Sequence, residues 1–243
     1  MPVHIHPTAP LAPRALLPGD PGRALALAQL VLCEPRMFNH NRGLWGYSGA
    51  AADGEPLTIQ STGMGGPSAA IVLEELADLG LRCAIRVGTC GALDEKLALG
   101  DLIVVDEALA GDGTSRALGA GTRVGADAAL AASLRAAAGG AARVGTVATV
   151  DLFYDRDHSR AREWRSAGAI AIEMEAATIL RLGQLRGLQT ACLLAVTDVF
   201  GEGGERHRID DEGLVRAGED LGRVAAAALE ACEQPQPGTV RRS

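Results

Sequence analysis

Hydrophobic positions along the chain gather into short runs rich in β-branched residues, at Pro56–Thr62, Ala84–Thr89, Asp101–Leu109, Val144–Val150, Ala169–Met174 and Ala191–Asp198. Runs of this length bounded by Gly, Pro or Asp predict strands. Helix-like stretches lie among them at Pro67–Leu79, Ala126–Ala138, Glu175–Leu185 and Asp211–Cys232. Pro67 suits a first helical turn, where its missing N–H is no loss, and Gly80 suits a C-terminal stop. Alternating strands and helices predict a single α/β domain, over residues 1–232, with helices on both faces of a central sheet. Ligands of such sheets gather beyond the carboxyl ends of the strands, so motifs at strand ends carry the most information. Residues 233–243, with Pro235, Pro237 and Gly238, are expected to form a disordered tail.

With 243 residues, 47% of them hydrophobic, the chain can bury one large core. A net charge of -7 repels phosphodiester backbones and anionic lipid, which argues against a nucleic-acid or membrane partner. A few arginines in a concave site can still set a positive local field. The five cysteines, Cys33, Cys83, Cys90, Cys192 and Cys232, are odd in number and form no CxxC pair, so reduced and mostly buried thiols are expected, without a zinc site. The N-terminal stretch has no apolar signal core and no apolar run is long enough to span a membrane, which predicts a cytoplasmic protein.

Four strand ends could carry chemistry. In LLPGDPGRA, Leu16 to Ala24, a strand ending at Leu17 would lead through a turn that offers backbone N–H groups, with Arg23 in the next helix; an ordinary tight turn is the alternative. In AIRVGTCGAL, alternation sets Arg86 and Gly88 on one side and Val87 on the other, while Gly88 and Gly91 open the backbone around Thr89. An arginine in an apolar strand needs an anionic partner, either a ligand or a structural carboxylate. In IAIEMEAA, a strand continuing to Glu175 would aim Glu173 and Glu175 the same way, towards a sugar diol, although acidic residues entering a helix are the commoner case. LLAVTDVF ends a buried run in Thr197 and Asp198, so Asp198 is either a desolvated general acid or a cap. The glycines of GMGG, around Met64, stand at another strand end, and the adjacent aromatics Phe153 and Tyr154 of DLFY could stack on a flat base.

Taken in order, PGDPGRA, NRGLWGYSG, GMGGPSAAI, IRVGTCGA, DLFY, EMEAA and the Thr197–Asp198 pair resemble the nucleoside phosphorylase superfamily, most closely its hexameric bacterial purine phosphorylases. The resemblance implies a mixed central sheet and a phosphate site at Gly19, Arg23, Arg86, Val87, Gly88 and Thr89. It also implies that Arg42 reaches the phosphate of a neighbouring subunit and that His4 reaches a neighbour's ribose 5′-hydroxyl. Met64, Phe153, Tyr154, Glu173, Met174, Glu175 and Thr197 would line the nucleoside, with Glu175 accepting from the 2′- and 3′-hydroxyls and Asp198 acting as the acid at purine N7. One of Arg206, Arg208 and Arg216 would assist Asp198.

The implied reaction is phosphorolysis of a purine nucleoside to base and pentose 1-phosphate by a hexamer built as a trimer of dimers. Inorganic phosphate is the co-substrate, and neither metal nor organic cofactor is expected. Arg23, Arg42 and Arg86 argue against a hydrolytic nucleosidase, and Asp155 to Arg160 lacks the Gln and Arg spacing by which uridine phosphorylases read uracil. A nucleoside-binding protein without turnover would not need both a phosphate site and an acid. Arg86→Ala is expected to cripple phosphorolysis while largely sparing the fold.

Overall fold

The computed structural model describes residues 2–200 and 205–230. In chain order these residues form β1 (Arg14–Leu17), α1 (Pro21–Val31), β2 (Cys33–Asn39), β3 (Gly46–Ala50), β4 (Pro56–Gln60), α2 (Gly66–Asp78), β5 (Cys83–Ala92), β6 (Leu102–Ala110), α3 (Gly113–Ala117), β7 (Arg123–Gly125), α4 (Ala128–Ala137), β8 (Ala142–Thr149), α5 (His158–Ser166), β9 (Ala169–Glu173), α6 (Ala176–Arg186), β10 (Gln189–Phe200), β11 (Arg206–Arg208) and α7 (Asp211–Glu230). The strands predicted from hydrophobic runs appear as β4, β5, β6, β8, β9 and β10, and the predicted helices as α2, α4, α6 and α7. Cys232 and the expected tail lie outside the described residues.

The sheet is mixed, as expected. Strands β5, β10, β6, β8 and β9 pair in turn until β9 returns to β5, closing a ring. From β5 the sheet also extends outward through β1, β4, β3 and β2. Alternation along each strand decides which layer each side chain joins. Leu16, Ile85, Val87, Leu193 and Ala195 face α1, α4 and α7, through Leu27, Leu130, Leu134, Leu221 and Leu229. Ala15, Leu17 and Ala84 face α2 and α6, through Leu73, Leu76, Ile179 and Leu182. Cys192, Leu194 and Val196 join a third cluster with Ile103, Val147 and Leu180. Arg86, between Ile85 and Val87, therefore points away from the large apolar layer.

Elements that escaped the hydrophobic pattern have visible reasons. Five of the seven residues of β2 are exposed, because it is the outer strand of the sheet and has no face to bury. Helix α5 (HSRAREWRS) offers only Ala161 and Trp164 as apolar residues, too few for a stripe. No disulfide links Cys33, Cys83, Cys90 and Cys192, of which Cys33 is exposed and the others are buried. Among the described residues no helix is long and apolar enough to cross a membrane.

Candidate active site

One edge of β5 is bonded to β10 along almost its whole length. The other edge changes partner: β1 accompanies it as far as Arg86, and β9 joins only at Gly91. The strand is thus without a neighbour on that edge across Val87, Gly88, Thr89 and Cys90. This is a switch point of the kind where α/β sheets bind ligands. The ends of β1, β4, β8, β9 and β10 surround it.

Arg86 is the centre of the crevice. Its Nε and Nη2 donate to Glu173 Oε2 at 3.0 and 2.9 Å, and Nη2 also meets Glu175 Oε2 at 2.5 Å. Nη1 is buried and has no hydrogen-bond partner among the described residues. Burial opposes the Arg86 charge, but Glu175 and Glu173 more than offset it and hold the guanidinium above its usual range. An unpartnered buried donor costs roughly 1–3 kcal/mol, so Nη1 is a standing site for an acceptor. The guanidinium lies over Gly88, where a Cβ would stand 2.7 Å from Nη2 and 2.8 Å from Cζ. Only glycine fits there.

The two carboxylates differ in what they have left to offer. Strand β9 stops at Glu173, so Glu173 and Glu175 do not share a strand face as expected; Glu175 is already the residue that precedes α6. Glu173 caps that helix, accepting from the amides of Glu175 at 2.8 Å and Ala176 at 2.9 Å, and it also takes the Thr149 hydroxyl at 2.5 Å. With Arg86 added, its lone pairs are filled by the protein. Burial pushes the Glu173 carboxyl up, and Arg86 opposes that shift. Glu175 accepts one hydrogen bond on each oxygen, from Gly65 N at 2.5 Å and from Arg86. A carboxylate has about four acceptor positions, so Glu175 keeps capacity that Glu173 has spent. Met174, between them, is half-buried.

Arg23 enters from the first turn of α1. Burial lowers its guanidinium, Asp20 opposes this, Arg86 lowers it further and Glu175 raises it. Arg23 and Arg86 thus repel each other across the crevice, and Glu175 opposes that repulsion. The turn before α1 offers less backbone than expected, because Asp20 accepts from Arg23 N at 2.6 Å and caps the helix itself. Gly19 is tied by its carbonyl to Gly63 N at 3.0 Å, which joins the first turn to the GMGG segment. Thr89 is half-buried on the open edge of β5.

Farther along β10, a bulge at Thr197 sets Asp198 beside Gly91. Asp198 is buried, and it accepts from Thr197 Oγ1 at 2.9 Å and from Arg206 Nε at 2.8 Å. Arg208 Nη1 is 3.6 Å from the same oxygen, whereas Arg216 bonds Glu212 instead. Of the three arginines considered, Arg206 is the partner. Its guanidinium also lies over the Phe153 ring, 4.5 Å from the centroid, and Tyr154 stands edge-on to that ring at 4.9 Å. Phe153, Tyr154 and Met64 are 51%, 86% and 87% exposed.

His4 and Arg42 sit apart from these groups. His4 Nδ1 bonds Glu75 Oε1 at 2.7 Å, and its carbonyl accepts from Asn41 Nδ2 at 2.9 Å. Arg42 is exposed, has a left-handed backbone (φ 57°), and makes no hydrogen bond or ion pair among the described residues. Neither residue bonds to any other member of the site.

A family model described as the phosphorylase superfamily matches residues 13–230. This chain belongs to that superfamily, among its nucleoside phosphorylases. It is 38% identical over 205 residues to a DeoD-type purine nucleoside phosphorylase of Alkaliphilus metalliredigens (strain QYMF), covering 80% of this chain and 86% of that one. It is 34% identical over 213 residues to a guanosine phosphorylase of Halorubrum lacusprofundi, covering 85% and 86%. Among solved structures, a uridine phosphorylase of Vibrio fischeri ES114 superposes with a TM-score of 0.81 at 27% identity, over 92% of this chain and 93% of that one.

Two groups of this phosphorylase at the crevice, Thr149 and Phe200, were not singled out by sequence, and a third, Gly65, was read only as one of the GMGG glycines at a strand end. Thr149 both donates to Glu173 and accepts from Ala177 N at 2.9 Å; its signal was a hydroxyl ending an apolar strand just before DLFY. Gly65, with φ 94°, turns its amide onto Glu175, a conformation that glycine adopts without strain. The Phe200 ring lies against Gly91, 3.6 Å from where a Cβ would be.

Proposed function

We propose that this phosphorylase cleaves purine nucleosides with inorganic phosphate, releasing free base and ribose or deoxyribose 1-phosphate. The observation that carries this reading is Asp198 paired with Arg206 at the Phe153 end of the crevice, because a purine has at N7 an acceptor that a pyrimidine lacks. Several relatives at 33–38% identity carry the name purine nucleoside phosphorylase, which supports the same reading.

Phosphate binds at Arg86 Nη1, Arg23, the Thr89 hydroxyl and the backbone of Gly19, Val87 and Gly88. Glu175 accepts from the ribose 2′- and 3′-hydroxyls, Glu173 and Thr149 hold Glu175 and Arg86 in position, and Met174 and Met64 border the sugar. The base lies against Phe153 and Tyr154, with Thr197 steadying Asp198. A phosphate oxygen forms its bond to C1′ as the bond from C1′ to N9 breaks and its electron pair passes into the purine. Asp198 gives a proton to N7, and Arg206 stabilises the carboxylate left behind. The proton that phosphate gives up as an ester restores the acid, so the reaction balances without metal or cofactor.

His4 and Arg42 serve the crevice of an adjoining copy, His4 at the 5′-hydroxyl and Arg42 at the phosphate, within a hexamer built as a trimer of dimers. Their lack of contact with their own crevice supports this. The solved uridine phosphorylase favours uridine as the second reading. Turnover of inosine, guanosine, adenosine and uridine, each with and without phosphate, decides between them. Turnover without phosphate would overturn phosphorolysis, and a preference for uridine would overturn the purine assignment.

A further inference from the structure

Arg206 does more than pair with Asp198. It lies in β11, which runs back along β10 so that Arg206 stands opposite Phe200 and Arg208 opposite Asp198. Its Nε is spent on Asp198 and its flat face on Phe153. Its two Nη groups have no hydrogen-bond partner among the described residues, and the side chain is 32% exposed. Arg208 brings a second guanidinium to within 3.6 Å of the same carboxylate oxygen. Among the described residues, two guanidinium groups thus face one carboxyl group here. Free N–H donors on a positively charged edge, beside the ring that faces the base, are a recognition element still without a partner.

We propose that Arg206 makes the enzyme select 6-oxopurine nucleosides over adenosine, an inference that rests on the purine reading above. A 6-oxopurine presents two acceptors on this edge, N7 and O6, the pattern that arginine reads in guanine. Adenine presents N7 beside an amino donor, which would face the Nη donors with nothing to accept from it. A polar site that leaves its own donors unpaired discriminates strongly against such an analogue. The 6-oxo base also takes negative charge onto O6 as it departs, so the cation acts more strongly on the transition state than on the bound substrate.

The test compares kcat/KM for inosine, guanosine, adenosine and uridine in wild type, Arg206→Met and Arg206→Lys. Wild type is expected to favour inosine and guanosine over adenosine at least about tenfold. Arg206→Met should lower every purine substrate through the loss of the Asp198 partner, and the 6-oxo substrates by roughly a further tenfold to a hundredfold, so the ratio collapses. Arg206→Lys keeps the charge without the planar fork and should fall between them. The readout is a ratio within each variant, so partial loss of folded enzyme cancels. Equal losses on inosine and adenosine in Arg206→Met, or a wild type that favours adenosine, would overturn the selection while leaving the purine reading intact. A wild type that favours uridine would overturn the purine reading, and this inference with it.

Discussion

The two ends of the crevice are built on opposite principles. At the Arg86 end Arg86, Glu173 and Glu175 hold one another, all three are buried, and Arg86 Nη1 has no partner among the described residues. At the Asp198 end one buried acid is held by an arginine on a short outer strand, and the rings that border it are half to fully exposed. Phosphate is the same small anion in every turnover, so a fixed field suits it, and the reorganisation has already been met during folding. A base enters and leaves as a large flat group, and an open floor admits it. Changes at the buried end should therefore damage fold and activity together, and changes at the open end activity alone.

The largest effect is expected from Arg86→Ala, and here the structure corrects the sequence reading. Sparing of the fold assumed an arginine waiting for phosphate, whereas among the described residues the side chain is the only cation bonded to Glu173 and Glu175. Its removal leaves two buried carboxylates without compensation, which costs roughly 3–5 kcal/mol. For a chain of this size that is a fall in Tm of about 10 °C. Phosphorolysis should fall by at least about 10³. Arg86→Met combined with Glu175→Gln removes part of the excess charge and should regain Tm without regaining phosphate use. An Arg86→Ala protein that melts like wild type would erase the contrast between the two ends.

Asp198→Asn probes the open end. The amide keeps the shape and still offers an oxygen to Arg206, but it cannot pass a proton to N7. We expect kcat/KM to fall by roughly 10²–10⁴ with Tm nearly unchanged. Adenosine should lose the most, because a 6-oxopurine retains the Arg206 donors at O6. Equal small losses on adenosine and inosine would reduce Asp198 to a cap.

How far the sequence could be read follows the same division. Strand ends were legible because alternation places Arg86 opposite Val87, and because glycines mark where a backbone must stay open. The split of labour between Glu173 and Glu175 was not, since it depends on β9 stopping after Glu173 and on an amide of α6 and a hydroxyl of β8 arriving at that point. The choice of Arg206 over Arg208 and Arg216 was also hidden, because it depends on β11 turning back along β10. The segment between Phe200 and Glu205, where sequence was least informative, lies outside the described residues. Long-range pairing decides these details, and local pattern does not carry it.

Gly88→Ala sharpens the contrast without removing any charge. Its Cβ would stand 2.7 to 3.1 Å from Nη2, Cζ and Nη1 of Arg86. The guanidinium is tied to two glutamates and cannot swing clear, so the strain should appear as a displacement of Nη1. Overpacking of this kind costs about 1–3 kcal/mol. The KM for phosphate should rise by about tenfold and that for the nucleoside by much less. A normal phosphate KM would mean that Nη1 is not where the anion binds.

The smallest effect lies outside the crevice, at the clamp that fixes the N-terminal segment to α2, the helix that follows the GMGG segment. Glu75 accepts from the amides of Val3, His4 and Ile5 and from the His4 ring. Burial alone would raise its carboxyl, but the His4 ring and the three amides outweigh that and lower it from 4.5 to about 2. A folded-state value below the unfolded one means that the ionised carboxylate favours the fold. Its contribution is complete above about 4.5 and is lost as the pH falls towards about 2. Glu75→Gln should therefore lower Tm by a few degrees at pH 7, and the gap to wild type should narrow below pH 4.5 and close near pH 2. If His4 serves a neighbouring crevice, the variant should also lose activity on dilution sooner than wild type, because a loosened segment no longer presents the ring across the interface. A Tm gap that stayed constant from pH 7 to pH 3 would show that the hydrogen-bonding shape of Glu75, and not its charge, holds the segment.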